Sequence, residues 1–291
     1  MGTHQGMTTF AIGGDLPVRR LGFGAMRLTG LPALLDRRAG AAVAQRAVEL
    51  GVNLIDTADS YDFGDNESLL AQALHPYPED LVIATKAGHV NVGQDWIPLG
   101  RPEYLRQQAE LSLRRLKLEQ ISLFQLHRVD PTVPLQDQIG ALRQLQDEGK
   151  IRHIGLSEVT LEQLVEAEQI APIASVQNRY NLADRASEPV LEYCEQHAIA
   201  FIPWLPIAPT VGSTSSTIEA IADKLRATPA QIALAWALHR SAVVLPIPGT
   251  SSRAHLEENV AAAYLGLDST SLADLDAAAS AGAGTARSFG S

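Results

Sequence analysis

The 291-residue chain has a single cysteine, Cys194, so no disulfide can form within it, and a reducing compartment is its expected home. Positive charge is also scarce: 23 Lys and Arg stand against 33 Asp and Glu, for a formal net charge of −10. No segment gathers its cations into a basic stripe, so neither nucleic acid nor an anionic membrane surface is an expected partner. No apolar run approaches the roughly 20 residues of a membrane-spanning helix. Met1 to Phe10 has neither a basic start nor an apolar stretch, so no signal peptide is expected and the protein reads as cytoplasmic. No linker divides the chain, which reads as one domain over residues 1–291. The Ser/Thr/Gly-rich Thr210–Thr217 is short and reads as a loop, and the small-residue tail from Ala277 to Ser291 reads as mobile. With 46% apolar and 19% charged residues, the composition is that of a globular protein with a sizeable core.

Within that core, short β-like runs alternate with helical ones. Thr9 to Arg20 holds Gly13-Gly14-Asp15 between apolar segments and predicts a β-hairpin ahead of the main body. Strands are predicted at Leu21–Gly24, Leu54–Asp56, Leu81–Lys86, Ile121–His127, His153–Ser157, Ser175–Asn178, Ala200–Pro203 and Val243–Pro248. Helices are predicted at Ala39–Leu50, Glu67–Leu74, Pro102–Leu116, Leu135–Glu148, Leu161–Ala167 and Glu188–His197, then at Thr217–Leu225 with Pro229–His239, and at Ala254–Ala263. Thr228-Pro229 reads as a helix start and Gly149 as a helix stop. Eight strands each followed by a helix predict an α/β fold, a (β/α)8 TIM barrel with a short N-terminal β-hairpin.

Four polar residues sit at or just past strand ends: Asp56, Tyr61, Lys86 and His127. In a parallel barrel such ends converge on one mouth, where these folds keep their chemistry. A carbonyl gaining an electron pair needs a proton donor and a positive field at its oxygen. Tyr61 is the candidate acid, and a neighbouring ammonium, Lys86, is expected to lower its pKa. Asp56 is the expected counter-charge of a buried Lys86. His127 is the candidate hydrogen-bond donor that orients the carbonyl.

The run from Asn53 to Glu67, with Asp56-Thr57-Ala58, Tyr61, Gly64 and Glu67, resembles the signature of the aldo-keto reductases. Val82–Lys86 and Leu123–His127 are similar to that family's lysine and histidine strands. Lys150–Ser157, Val176–Asn181, and Pro246–Thr250 leading to Glu257-Glu258-Asn259 resemble three further family stretches, so the likeness runs from about Leu21 to Asn259. It implies a nicotinamide cofactor, NADPH with NADH as a second possibility, no metal, and a small carbonyl substrate. Oligomeric state and physiological substrate are not written in it. Ser157 and Gln177 would hold the carboxamide, with Glu158 standing where the family has an asparagine. Trp204 would stack on the nicotinamide, and Gly24 and Met26 would line its approach. Gly249, Thr250, Ser251 and Arg253 open the last helix, whose free N–H groups suit a phosphate, and Ser251 with Arg253 favours a 2′-phosphate. Glu258 and Asn259 would face the adenine. In the Gly88–Arg101 loop, Trp96 is the expected wall of the substrate pocket; in the tail, Phe289 alone could reach a ligand.

Three other readings remain open. Lys86 as a Schiff-base nucleophile would make the protein a barrel aldolase, which borohydride trapping would reveal. The family also includes nicotinamide-binding potassium-channel β-subunits, so a regulatory subunit with little turnover is the main alternative. A Rossmann dehydrogenase is disfavoured because no G-x-G-x-x-G follows a first strand.

Overall fold

The computed structural model describes residues 7–30, 36–93, 95–209 and 212–286. A hairpin of β1 (Thr9–Ile12) and β2 (Leu16–Arg19) comes first, its turn made by Gly13 and Gly14 with left-handed φ of 62° and 86°. There follow β3 (Phe23–Gly24), α1 (Arg37–Glu49), β4 (Leu54–Asp56), α2 (Asp65–Leu74) and β5 (Val82–Ala87). A second hairpin, β6 (His89–Val92) and β7 (Asp95–Pro98), precedes α3 (Pro102–Leu116) and β8 (Ile121–Leu126). The chain continues through α4 (Leu135–Asp147), β9 (Ile151–Ser157), α5 (Leu161–Glu168), β10 (Ile173–Gln177) and α6 (Glu188–His197). It ends with β11 (Ala200–Phe201), α7 (Gly212–Leu225), α8 (Pro229–Arg240), α9 (Arg253–Ala261) and α10 (Ser269–Ala286). Seven strands form one parallel sheet in the order β11-β10-β9-β8-β5-β4-β3.

The eighth strand is Val243–Pro248, and it closes the sheet into the predicted barrel without becoming a regular strand. On one side Phe201 N donates to Val243 O at 2.9 Å and Leu245 N to Phe201 O at 2.8 Å, a two-way parallel ladder. On the other, Gly22 N donates to Pro246 O at 3.0 Å and Gly24 N to Pro248 O at 3.3 Å. The return bond onto the Gly22 carbonyl would have to come from Pro248, which has no N–H. The seam between β3 and the eighth strand is therefore hydrogen-bonded in one direction only. Side chains are absent where it is tightest, since a Cβ on Gly24 would meet Ile247 O at 2.8 Å and one on Gly249 would meet Gly24 O at 2.9 Å.

Side chains alternate across each strand, so every second residue points into the barrel. Low in the barrel these are apolar: Leu54, Val82, Ala84, Leu123, Ala200 and Leu245 cluster with Ile12, Leu16 and Val18 of the hairpin, which plugs the amino-terminal end. One pair further up, the same inward rows become Asp56, Lys86, Gln125, Ser157 and Gln177 on five successive strands, all buried. The outward rows (Ile55, Ile83, Phe124, Ile154, Val176) pack against the helices. A period of two thus places a polar floor on an apolar plug.

Several expectations change. Gly88–Arg101 is the β6–β7 hairpin rather than a plain loop, because Val90, Val92 and Ile97 alternate with polar residues about a turn. Of the expected Thr210–Thr217 loop, Gly212 onward is already helix; Ser and Thr tolerate a first turn, where side-chain oxygens serve the free N–H groups. The tail is helical to Ala286, since its alanines favour helix. Phe289 lies outside the described residues. Thr228 caps α8 with Gln231 in a reciprocal capping box, and Gly149 ends α4 at φ 76°.

Candidate active site

Asp56 ends β4, Lys86 lies near the end of β5 and His127 follows β8, so three neighbouring strands deliver three of the four candidate residues. Tyr61 begins a 3-10 turn after β4, followed at once by Asp62 and Phe63 with left-handed φ of 50° and 54°. Two such residues in succession are strained, and they turn the chain sharply behind the phenol. Lys86 is completely buried, and Nζ spends its three protons on Asp56 Oδ1 at 2.5 Å, Thr57 O at 2.8 Å and the Tyr61 hydroxyl at 3.3 Å. Asp56 Oδ2 accepts from Gln125 Nε2 at 3.1 Å and Gln177 Nε2 at 2.9 Å. The carboxylate is thus saturated, which makes its burial tolerable.

Burial opposes the Lys86 charge, yet Asp56 and Tyr61 more than restore it, so its pKa stands above the ordinary lysine value. At Tyr61 the expected lowering by Lys86 is present but outweighed. Burial raises its pKa by more than Lys86 lowers it, and Asp56 raises it further, so the phenol stays protonated at neutral pH. His127, 6% exposed, is held well below the usual histidine range by burial and then by Lys86, Arg128 and His89. It is a neutral imidazole, with the Ser60 hydroxyl 3.5 Å from Nδ1. The Tyr61 and His127 rings meet edge to face at 5.8 Å.

These groups open into a cavity of about 510 Å³. Asp56, Tyr61 and His127 lie in its wall with Gly24, Met26, Trp96, Ser157, Gln177, Trp204 and Gly249. The expected Thr250, Ser251, Arg253, Glu258 and Asn259 lie beyond that lining. Thr250 and Asn259 are buried, Ser251 and Arg253 exposed, and Ser252 caps α9. Glu158 adopts φ 55° and accepts from Trp204 Nε1 at 2.5 Å and Arg179 N at 2.6 Å, so the residue that departs from the family pattern anchors the indole. Trp96 leans on His89 at 4.9 Å between ring centres.

Sequence reasoning missed Gln125, His89, Arg128 and Arg27. Gln125 left a signal: a polar residue inside an apolar strand, in register opposite Lys86. His89 and Arg27 follow only from how the β6–β7 hairpin and the first loop fold over the mouth, and Arg128, the residue after His127, stands out only through its place in the cavity wall. It also missed Asp59, 5% exposed, whose Oδ2 accepts from Tyr104 at 3.2 Å while Oδ1 has no hydrogen-bond partner among the described residues. Burial, and then Glu67, push its pKa up to about 7. A carboxyl whose folded pKa is raised stabilises fully below its unfolded value near 4, and loses that contribution as pH climbs to about 7. Asp59→Asn should therefore gain stability relative to wild type between pH 5 and pH 8, on the order of 2 kcal/mol in chemical denaturation. A difference independent of pH would mean that Asp59 is ionised throughout.

The family model described as the aldo/keto reductase family matches residues 20–280. An uncharacterized oxidoreductase of Schizosaccharomyces pombe is 51% identical over 90% of this chain and 87% of its own. Pyridoxine 4-dehydrogenase of Escherichia coli is 41% identical over 92% of this chain and 97% of its own. Among solved structures, an aldo/keto reductase from Klebsiella pneumoniae in complex with NADP and acetate superposes with a TM-score of 0.79 at 29% identity, covering 92% of this chain and 94% of that one. The chain belongs to the aldo/keto reductase family and is an oxidoreductase.

Proposed function

We propose that the protein reduces an aldehyde or ketone to an alcohol with NADPH, or less favourably NADH, Tyr61 being the proton donor. The observation that carries this reading is the buried chain Asp56–Lys86–Tyr61 ending, with His127, in one cavity. The residues around that cavity fit a nicotinamide. Ser157 Oγ accepts from Arg128 at 3.1 Å, which leaves its own proton free for an amide oxygen. Gln177 spends Nε2 on Asp56 and Gln125, which leaves Oε1 free to accept from an amide nitrogen. The pair therefore complements a carboxamide without the missing asparagine. Trp204, fixed by Glu158, offers a flat face in the same wall. Ser251 and Arg253, exposed at the opening of α9, suit a phosphate, and Arg253 has no ion pair among the described residues.

When bound, the nicotinamide supplies the hydride to the carbonyl carbon. The protein's own task is the oxygen. Tyr61 keeps its proton until negative charge develops beside it, and Lys86 then stabilises the phenolate left behind through the 3.3 Å contact. Neutral His127 donates from Nε2 when Ser60 donates to Nδ1, so it directs the carbonyl oxygen without competing as an acid. Lys86 is a poor Schiff-base candidate, because that chemistry needs a depressed pKa and a free amine, and here the ammonium is fully engaged.

The test is absorbance-followed consumption of NADPH and NADH by purified protein with aromatic aldehydes and α-dicarbonyls. Pyridoxine belongs in the oxidative arm, as the named substrate of the Escherichia coli relative. We expect turnover with NADPH, and saturable quenching of tryptophan fluorescence by it. Quenching without turnover on any substrate would identify a regulatory nicotinamide-binding subunit; neither response would sink both readings.

A further inference from the structure

The charge balance of the cavity wall points to what the substrate carries. Asp56 is spent on Lys86, and His89 and His127 are both kept neutral, His89 with a pKa of about 4 through burial and then Arg128. Two guanidiniums remain, Arg27 and Arg128. Arg128 is half-buried and donates only to neutral oxygens, the His127 carbonyl at 2.6 Å and Ser157 Oγ at 3.1 Å, both from Nη1. Its Nε and Nη2 donate to no atom among the described residues, and it forms no ion pair there. The carboxylate that acts on its charge is Glu158, whose Oε1 already serves Trp204 and a backbone N–H. Arg27 is exposed and has no ion pair among the described residues. A chain of net charge −10 has thus left a concave wall positive, which concentrates anions. A guanidinium fork with free donors matches a carboxylate or phosphate.

We infer that the substrate is a carbonyl compound bearing an anionic oxygen group, and that Arg128 binds that group while the carbonyl faces Tyr61 and His127. This rests on the carbonyl-reductase reading above. Position separates the substrate from the cofactor's own phosphates as the anion. Arg128 directly follows His127 and shares its wall with His89 and Trp96 of the β6–β7 hairpin, whereas the phosphate-suited opening of α9 lies past Gly249.

The experiment compares 3- and 4-carboxybenzaldehyde with their methyl esters, which keep the aldehyde and ring but remove the charge. Wild type should favour the better-placed acid over its ester in kcat/KM by about 10- to 100-fold, the range of a charge-assisted hydrogen bond. Arg128→Met should bring the acid-to-ester ratio close to one, and Arg128→Lys should retain part of it. Reading a ratio makes the result independent of any general loss of activity. The NADPH dissociation constant, from tryptophan quenching, is measured beside it. Equal use of acid and ester by wild type, or an acid preference that survives in Arg128→Met, would overturn the inference. So would a variant that weakens NADPH binding and leaves the ratio unchanged, because Arg128 would then serve the cofactor. Failure of wild type on the esters as well as the acids would count against carbonyl reduction itself, and the inference would fall with it.

Discussion

Tyr61→Phe is expected to lower kcat by about 10²- to 10⁴-fold, the usual contribution of a positioned general acid. NADPH affinity should stay near wild type, because among the described residues the phenol oxygen bonds only to Lys86. The fold should survive too, since the ring and its edge contact with His127 remain. Stopped-flow turnover beside fluorescence titration separates these effects. Cofactor affinity falling in step with turnover would remove Tyr61 from the proton-donor role. The raised pKa sharpens this expectation: a phenol that keeps its proton across neutral pH gives a rate with no alkaline decline from its own ionisation there.

Lys86→Met carries the second large effect, on stability as well as rate. The variant leaves Asp56, 3% exposed, without its cation, and orphaning one member of a buried pair costs about 3–5 kcal/mol. Denaturant midpoints with an unchanged m-value would measure it. Gln125 and Gln177 still donate to Asp56, so the cost should fall at the lower end of that range. The double variant Asp56→Leu/Lys86→Met tests the cause. Replacing both charges with apolar groups should recover much of the stability, while turnover stays lost for want of the ammonium at Tyr61. A single variant as stable as wild type would mean that Asp56 takes up a proton instead.

The barrel and the four candidate residues were legible because each rests on local pattern. Strand ends carry Asp56, Lys86 and His127, and the signature around Tyr61 is contiguous. Gln125 was legible in principle, through the register that pairs it with Lys86. Arg128 and Asp59 were not. One is functional through what it lacks, a carboxylate partner, and the other is perturbed through burial against Glu67 and Tyr104; a missing partner and a dry environment belong to three-dimensional neighbours. The net direction of the Tyr61 shift is not legible for the same reason: sequence names Lys86, which does lower the pKa, but not the depth of burial that outweighs it. The eighth strand was found by its apolar run, while its irregular form follows from Pro246 and Pro248.

That seam gives the protein a built-in reporter. A barrel stitched in one direction between Gly22–Gly24 and Pro246–Pro248 has its thinnest bonding at the lip where Gly24 and Gly249 meet the cavity. A guest bridging that lip would splice the two edges, and by mass action its affinity would reappear as resistance to melting. Heat, rather than catalysis, can then rank the guests.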